Sequence, residues 1–158
     1  MHLALVRHGR AVDREDWDGD DADRPLTREG QAEVRSIARL LAPLISAQQI
    51  WTSPWARALR TAELLAEQWQ LPLLVQDWLA GEETDPEDWL PHLRGQGDLV
   101  LVGHEPDLGQ VLGLLLGVEA AIPLKKGAIA LLEGTPKPGD MRLRLLLAPA
   151  EARVLAAS

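Results

Sequence analysis

The chain contains no cysteine, phenylalanine or tyrosine and has only 3 lysines against 13 arginines. Without cysteine there can be no disulfide, no thiolate metal site and no cysteine nucleophile. Six tryptophans are the only aromatic residues, and this bias carries no functional reading. Long apolar runs are missing too. The longest candidate, "LGLLLG" at 112–117, falls far short of the roughly 18 residues that a membrane-crossing helix needs. Met1 leads almost at once into a strand pattern, without a charged n-region and an apolar h-region, so no signal peptide is expected and a cytoplasmic location is the default. Positive charge is scarce overall. The formal net charge of −8 disfavours nonspecific nucleic-acid binding, which needs a basic surface. The four histidines (His2, His8, His92 and His104) show no H-E-x-x-H spacing, and no G-x-S-x-G is present. A metal hydrolase of that type and a lipase-like serine enzyme therefore have no support. His92 is expected to sit exposed on a short helix.

At 158 residues with 46% hydrophobic and 25% charged residues, the chain fits one domain with a full core, spanning 1–158. Apolar runs and helical stripes alternate along it. Strands are expected at 2–7, 49–53, 71–76, 98–104, 127–134 and 141–149. Helices are expected at 26–44, from Ser53 and Pro54 onward, at 85–95 and at 105–117, with a frayed helix in the tail. The acidic stretch 11–25 reads as a loop; its part from Asp13 to Asp23 follows His8 and could rim a site there, but a solvated mobile loop is the expected reading. Strands alternating with helices imply an α/β sandwich, a mostly parallel sheet covered on both faces, and the "TPKPGD" turn between the last two strands implies an antiparallel edge.

Ligand sites in such sheets lie beyond the carboxyl ends of the strands. Strand one ends in "RHG", Arg7 to Gly9. Strand two ends in "TSP" and opens a helix carrying Arg57. The fourth strand ends in "GHEP", with His104. Each piece alone has an ordinary reading: a strand terminator, a helix start, a solvated arginine, a satisfied histidine. Together they place two histidines and two arginines where one pocket could gather them. Two guanidinium groups and two helix N-termini would hold a tetrahedral oxyanion. A histidine within such a pocket can act as a nucleophile if it is neutral and its other ring nitrogen is fixed on a backbone carbonyl.

These stretches resemble the signatures of a known family. "LVRHGRA", "TSPWARALRTAE" and "VGHEPDL" are similar to three blocks of the histidine phosphatase superfamily, with its phosphoglycerate-mutase-like fold. The short chain and "DRPLTREGQAEV" resemble its small phosphohistidine phosphatase branch, the SixA type. The resemblance implies a three-layer αβα sandwich and a metal-independent phosphatase without cofactor. His8 would attack phosphorus and become a transient phosphohistidine. Arg7, Arg57 and a protonated His104 would bind the phosphoryl oxygens, and Gly9 would let the backbone approach the ligand. The implied partner is a phosphorylated protein, such as a histidine-phosphotransfer domain. The alternatives are a small phosphate ester or, in another class, a non-catalytic phosphate-docking module. The general acid of larger members has no firm match: Glu82 and Glu105 are candidates, while Glu83 and Asp85 read equally well as solvated loop charges and Glu105 as a helix cap.

Overall fold

The computed structural model describes residues 1–81 and 85–158. In chain order the elements are β1 (His2–Arg7), α1 (Arg28–Leu41), β2 (Gln49–Thr52), α2 (Ala56–Trp69), β3 (Leu73–Val75), α3 (Leu90–Leu93), β4 (Leu99–Gly103), α4 (Asp107–Leu116), β5 (Ile129–Gly134), β6 (Met141–Leu147) and α5 (Pro149–Ala157). Six strands stand in the order β3-β2-β4-β1-β5-β6. β1 to β4 are mutually parallel, while β5 runs antiparallel to β1 and β6 antiparallel to β5. The architecture is the expected α/β sandwich with an antiparallel edge.

β4 is buried along all five residues. It lies between β1 and β2, so both of its faces meet helices, and it reads as an unbroken apolar run rather than an alternating one. Strand period divides the core in two. Leu3, Leu5, Leu99 and Leu101 face the side covered by α4 and the Trp89–Leu93 turn. Ala4, Val6, Val100 and Val102 face α1, α2 and α5. On α1 the buried stripe is Val34, Ile37, Ala38 and Leu41. Each fully buried Val, Leu or Ile contributes about 1.5–3 kcal/mol relative to exposure. Among the described residues, no helix is long and apolar enough to cross a membrane.

The element boundaries differ from expectation at informative places. The helix expected at 26–44 splits into α1 and a 3-10 turn at Ala42–Leu44, where Pro43 has no N–H to continue the ladder. The segment 85–95 is a 3-10 turn, Pro86–Trp89, running into the four-residue α3. α2 starts at Ala56, not at Pro54, and its N-cap Trp55 makes no side-chain cap bond. Similarly, α4 starts at Asp107 rather than Glu105. The acidic stretch is ordered by two 3-10 turns, Arg14–Asp16 and Asp21–Asp23. It closes on itself through the Ala11–Leu26 bridge and the Val12 N–H on the Pro25 carbonyl, 2.9 Å.

The start of α1 is packed against the chain leaving β1. Thr27 caps it, its Oγ1 accepting from the Gly30 N–H at 2.9 Å. A Cβ at Gly30 would lie 2.1 Å from the carbonyl oxygen of Arg10. That carbonyl is itself anchored by the Thr27 N–H at 3.0 Å. Gly30→Ala should therefore cost at least about 1–3 kcal/mol through overpacking. Thermal unfolding followed by circular dichroism should show a midpoint several degrees lower, and an unchanged midpoint would contradict this packing.

Candidate active site

β1 and β2 both pair with β4, and the register levels their carboxyl ends: Arg7 stands beside Gly103 and Thr52 beside Val102. The next residues therefore leave the sheet together. The His8 N–H donates to the Gly103 carbonyl at 3.1 Å and the Ser53 N–H to the Val102 carbonyl at 3.0 Å. Above this edge opens a cleft of about 480 Å³ whose lining includes Arg7, His8, Arg57 and His104. The structure thus brings together the two histidines and two arginines expected from separate motifs.

His8 is buried, and its Nδ1 lies 2.8 Å from the Gly9 carbonyl oxygen. Only a protonated Nδ1 can donate there, which leaves the lone pair on Nε2. Burial pushes the imidazole down to about 3. The Gly9 hydrogen bond works against that shift, and the charges of His104, Arg57 and Arg7 reinforce it. His8 is thus neutral through the physiological range. His104 lies with its ring centroid 5.3 Å from that of His8. Its Nε2 is 2.8 Å from Ser53 Oγ, and its buried Nδ1 has no partner among the described residues. Burial, then Arg57 and Arg7, push His104 down to about 4, with Asp21 opposing. The protein groups alone therefore leave His104 neutral at neutral pH. The protonated form implied by resemblance requires a dianion to outweigh burial and both guanidinium groups.

The arginines are held by oxygen atoms around the rim. Arg57 NH1 donates to the Asp21 carbonyl at 2.8 Å and NH2 to Asp21 Oδ2 at 3.3 Å. Its guanidinium carbon sits 4.8 Å from the Trp55 ring centroid, a cation–π distance. Arg7 NH1 donates to the Leu124 carbonyl at 2.9 Å. The Nε atoms of Arg7 and Arg57 are buried and unpartnered among the described residues. Asp21 takes a third donor, Arg24 Nε, at 2.9 Å, while Arg24 NH1 reaches the Val12 carbonyl at 2.7 Å. The Arg24 hydrogen bond, with the nearby positive charges of Arg57, Arg24 and Arg14, holds the Asp21 carboxyl below its usual range against a small burial cost.

Gly9 has partners within the protein that the sequence did not announce. Its N–H donates to Thr61 Oγ1 at 3.0 Å, and its carbonyl accepts from His8. Neither backbone group is left for a ligand. A Cβ there would meet Val34 Cγ2 at 2.8 Å, so the missing side chain also makes room for α1. Thr61 Oγ1 also donates to the Arg57 carbonyl at 2.7 Å, tying the His8 turn to α2. Glu105 lines the cleft, but its two oxygens accept the N–H groups of Gly109, 2.9 Å, and Leu124, 2.5 Å. Glu82 and Glu83 lie outside the described residues. Asp85 caps the Pro86–Trp89 turn, its Oδ1 accepting the Glu87 N–H at 3.0 Å. His92 is exposed as expected, and it stacks on Trp78 with centroids 4.2 Å apart. Among the described residues, no group of three or more His, Asp or Glu side chains is arranged to hold a metal ion.

Sequence reasoning did not single out Asp21, Arg24 or Ser53, although Asp21 belongs to the acidic segment weighed as a rim of the site. The one available signal for the first two was an arginine next to Pro25, closing an acidic run. Ser53 was legible only as a helix cap. Its Oγ does accept the Trp55 N–H at 3.2 Å, but the same oxygen also holds His104.

Comparisons with known proteins agree with this geometry. The signature of the histidine phosphatase superfamily (branch 1) matches residues 3–90. An uncharacterized protein of Picosynechococcus sp. is 40% identical over 116 residues, 70% of this chain and 70% of that one. Among solved structures, the protein histidine phosphatase SixA in complex with tungstate superposes with a TM-score of 0.84 at 24% identity, covering 96% of this chain and 99% of that one. The putative phosphohistidine phosphatase SixA from Agrobacterium tumefaciens gives 0.78 at 24% identity, over 94% and 97%. A mycobacterial glucosyl-3-phosphoglycerate phosphatase gives 0.69 at 16% identity, over 91% and 97%. At these identities the likeness to solved structures establishes the phosphoglycerate-mutase-like fold.

The two depressed imidazoles have a consequence for stability. Between the ordinary value near 6.5 and the shifted values of about 3 and 4, the unfolded chain binds protons that the folded chain does not. Their contribution is therefore intact above pH 6.5 and is lost as pH falls through that window. Urea titrations at pH 7 and pH 4.5 should show a smaller acid-induced loss for His8→Asn than for the wild type. Equal losses would mean that His8 is not held neutral.

Proposed function

The chain belongs to the histidine phosphatase superfamily (branch 1), and from that premise we propose that it is a metal-independent phosphatase working through a phosphohistidine on His8, with phosphohistidine on a protein as its substrate. His8 Nε2 attacks phosphorus in line while the leaving group departs on the opposite side. Arg7, Arg57 and His104 take the phosphoryl oxygens and neutralise the charge that spreads over them in the transition state. Water then attacks the phosphohistidine, releasing phosphate and restoring the neutral imidazole. One observation supports this reading most. A buried imidazole with its Nδ1–H spent on Gly9 faces two guanidinium groups whose buried Nε–H donors have no partner among the described residues.

The choice of substrate rests on the carboxylates around the cleft. Glu105 spends both oxygens on backbone N–H groups, Asp21 is held ionised by Arg24 and Arg57, and Asp13 and Glu15 sit exposed on the rim. An alkoxide leaving group needs a proton donor placed beside it. A phosphorylated imidazole does not, because once its second nitrogen is protonated the ring leaves as a neutral base. Among the described carboxylates that line this cleft, Glu105 and Asp21 are both committed to other partners, and this supports N–P cleavage over cleavage of an unactivated ester.

Hydrolysis of an aryl phosphate, with and without a chelator, tests the mechanism. Turnover should be indifferent to chelator and fall by about a thousandfold or more in His8→Ala. A panel of phosphohistidine proteins and sugar phosphates tests the substrate. Turnover of sugar phosphates without turnover of phosphohistidine would point instead to an ester phosphatase of the same fold. No turnover of anything would point to a docking module.

A further inference from the structure

We propose that Glu105 is a positioning residue that acts on the phosphoryl group through Arg7, by way of the backbone of Leu124. This rests on the phosphatase reading for its importance, but not for its geometry. The sequence offers Glu105 two fates, an acid beside His104 or a cap on α4, and the structure shows the cap together with a second bond that the sequence did not announce. Its Oε2 accepts the Gly109 N–H in the first turns of α4, and its Oε1 accepts the Leu124 N–H, from the segment that leads into β5. Leu124 then presents its carbonyl to Arg7 NH1 at 2.9 Å. Both backbone polar groups of Leu124 are therefore committed, one to Glu105 and one to Arg7, while its side chain is buried in the core.

The same segment closes back on the site. The Gly127 N–H donates to the His8 carbonyl at 2.9 Å, and the Arg7 N–H to the Ala128 carbonyl at 3.1 Å. It is also tied to α4 by the Ile122 N–H on the Gly109 carbonyl, 3.0 Å. Glu105 thus fixes the position of the carbonyl against which the Arg7 fork is set. It also offsets part of the burial that works against the Arg7 charge. Because both carboxylate oxygens are spent on amides, Glu105 supports that charge without competing with an anion for the guanidinium donors. Asp21 differs, since it takes donors of Arg57 directly.

A double-mutant cycle on tungstate affinity, read by calorimetry or NMR titration, separates positioning from simple stabilisation. Glu105→Ala should weaken tungstate binding about tenfold in the wild type and equally in Arg57→Ala, but less than twofold in Arg7→Ala. Glu105→Gln keeps the length and one accepting oxygen, and it should recover part of the loss. If Glu105→Ala does not fold, the same cycle run with Glu105→Gln decides the matter. An equal penalty in all three backgrounds, or earlier urea unfolding with unchanged tungstate affinity, overturns the proposal. Tungstate binding is read without turnover. A failure of the phosphatase reading would therefore appear separately, as absence of His8-dependent hydrolysis while the Arg7–Glu105 coupling remains.

Discussion

The cleft depends on three parallel strands ending level. Arg7 on β1, Thr52 on β2 and Gly103 on β4 occupy nearly the same height at the sheet's carboxyl edge. His8, Ser53 and His104 consequently emerge as neighbours although they lie far apart in sequence. The register is held by burial on both faces. Leu side chains face one core and Ala or Val side chains the other, in alternation along β1 and β4. A slip of one residue would exchange the two faces. It would move the whole apolar set into the wrong core and separate the two imidazoles at the same time. Packing and chemistry thus constrain one geometric variable together.

Above that edge, the electrostatic problem is to hold two arginines together in partial burial without letting their counter-charges block an incoming anion. The protein solves it differently for each one. Arg57 is met directly by Asp21, whose second oxygen is held by Arg24, which in turn is anchored on the Val12 carbonyl. Arg7 is met by a neutral carbonyl, with its acidic support one backbone residue away. The segment 13–23 is therefore more than a solvated acidic wall. Through Asp21 it closes one side of the site, and Trp55 stacks against the same guanidinium from the start of α2.

The layout of the site was legible in the sequence because parallel strands announce themselves. Apolar runs such as "DLVLVGH" fit strands buried on both faces, and the residues just beyond their carboxyl ends must share one edge of the sheet. That logic needs no knowledge of side-chain partners. The failures occur where a residue has two jobs. Ser53 looked like a helix cap, and it does accept an N–H there, but the same hydroxyl also holds His104. Gly9 was read as an opening for a ligand, and its missing side chain also accommodates Val34 on α1. Asp21 and Arg24 were hidden among other charges, because ion pairing between a loop and a helix 36 residues away leaves no periodic trace. Glu105 was legible as a cap of α4, which its bond to the Gly109 N–H shows, but its second partner Leu124 lies on a segment whose path only the tertiary structure defines.

The same burial that gathers these groups also bears on the proposed chemistry. An imidazole pushed down to about 3 keeps its lone pair at any physiological pH, so proton competition never removes the nucleophile. A weaker base is also a weaker nucleophile, which would hinder attack in free solution. In the cleft that cost is offset by orientation: Nδ1–H is fixed on Gly9 and the oxyanion donors are already in place. The second half of the cycle gains from the same shift. In the proposed cycle, an imidazole that binds a proton poorly would also be the better leaving group when water attacks the phosphohistidine. A donor phosphohistidine on a protein surface, near the ordinary value of about 6.5, would then pass its phosphoryl group to a site that sheds it faster. In that reading the gain falls on the water step, while departure of the substrate's imidazole rests on the protonated second nitrogen of its own ring.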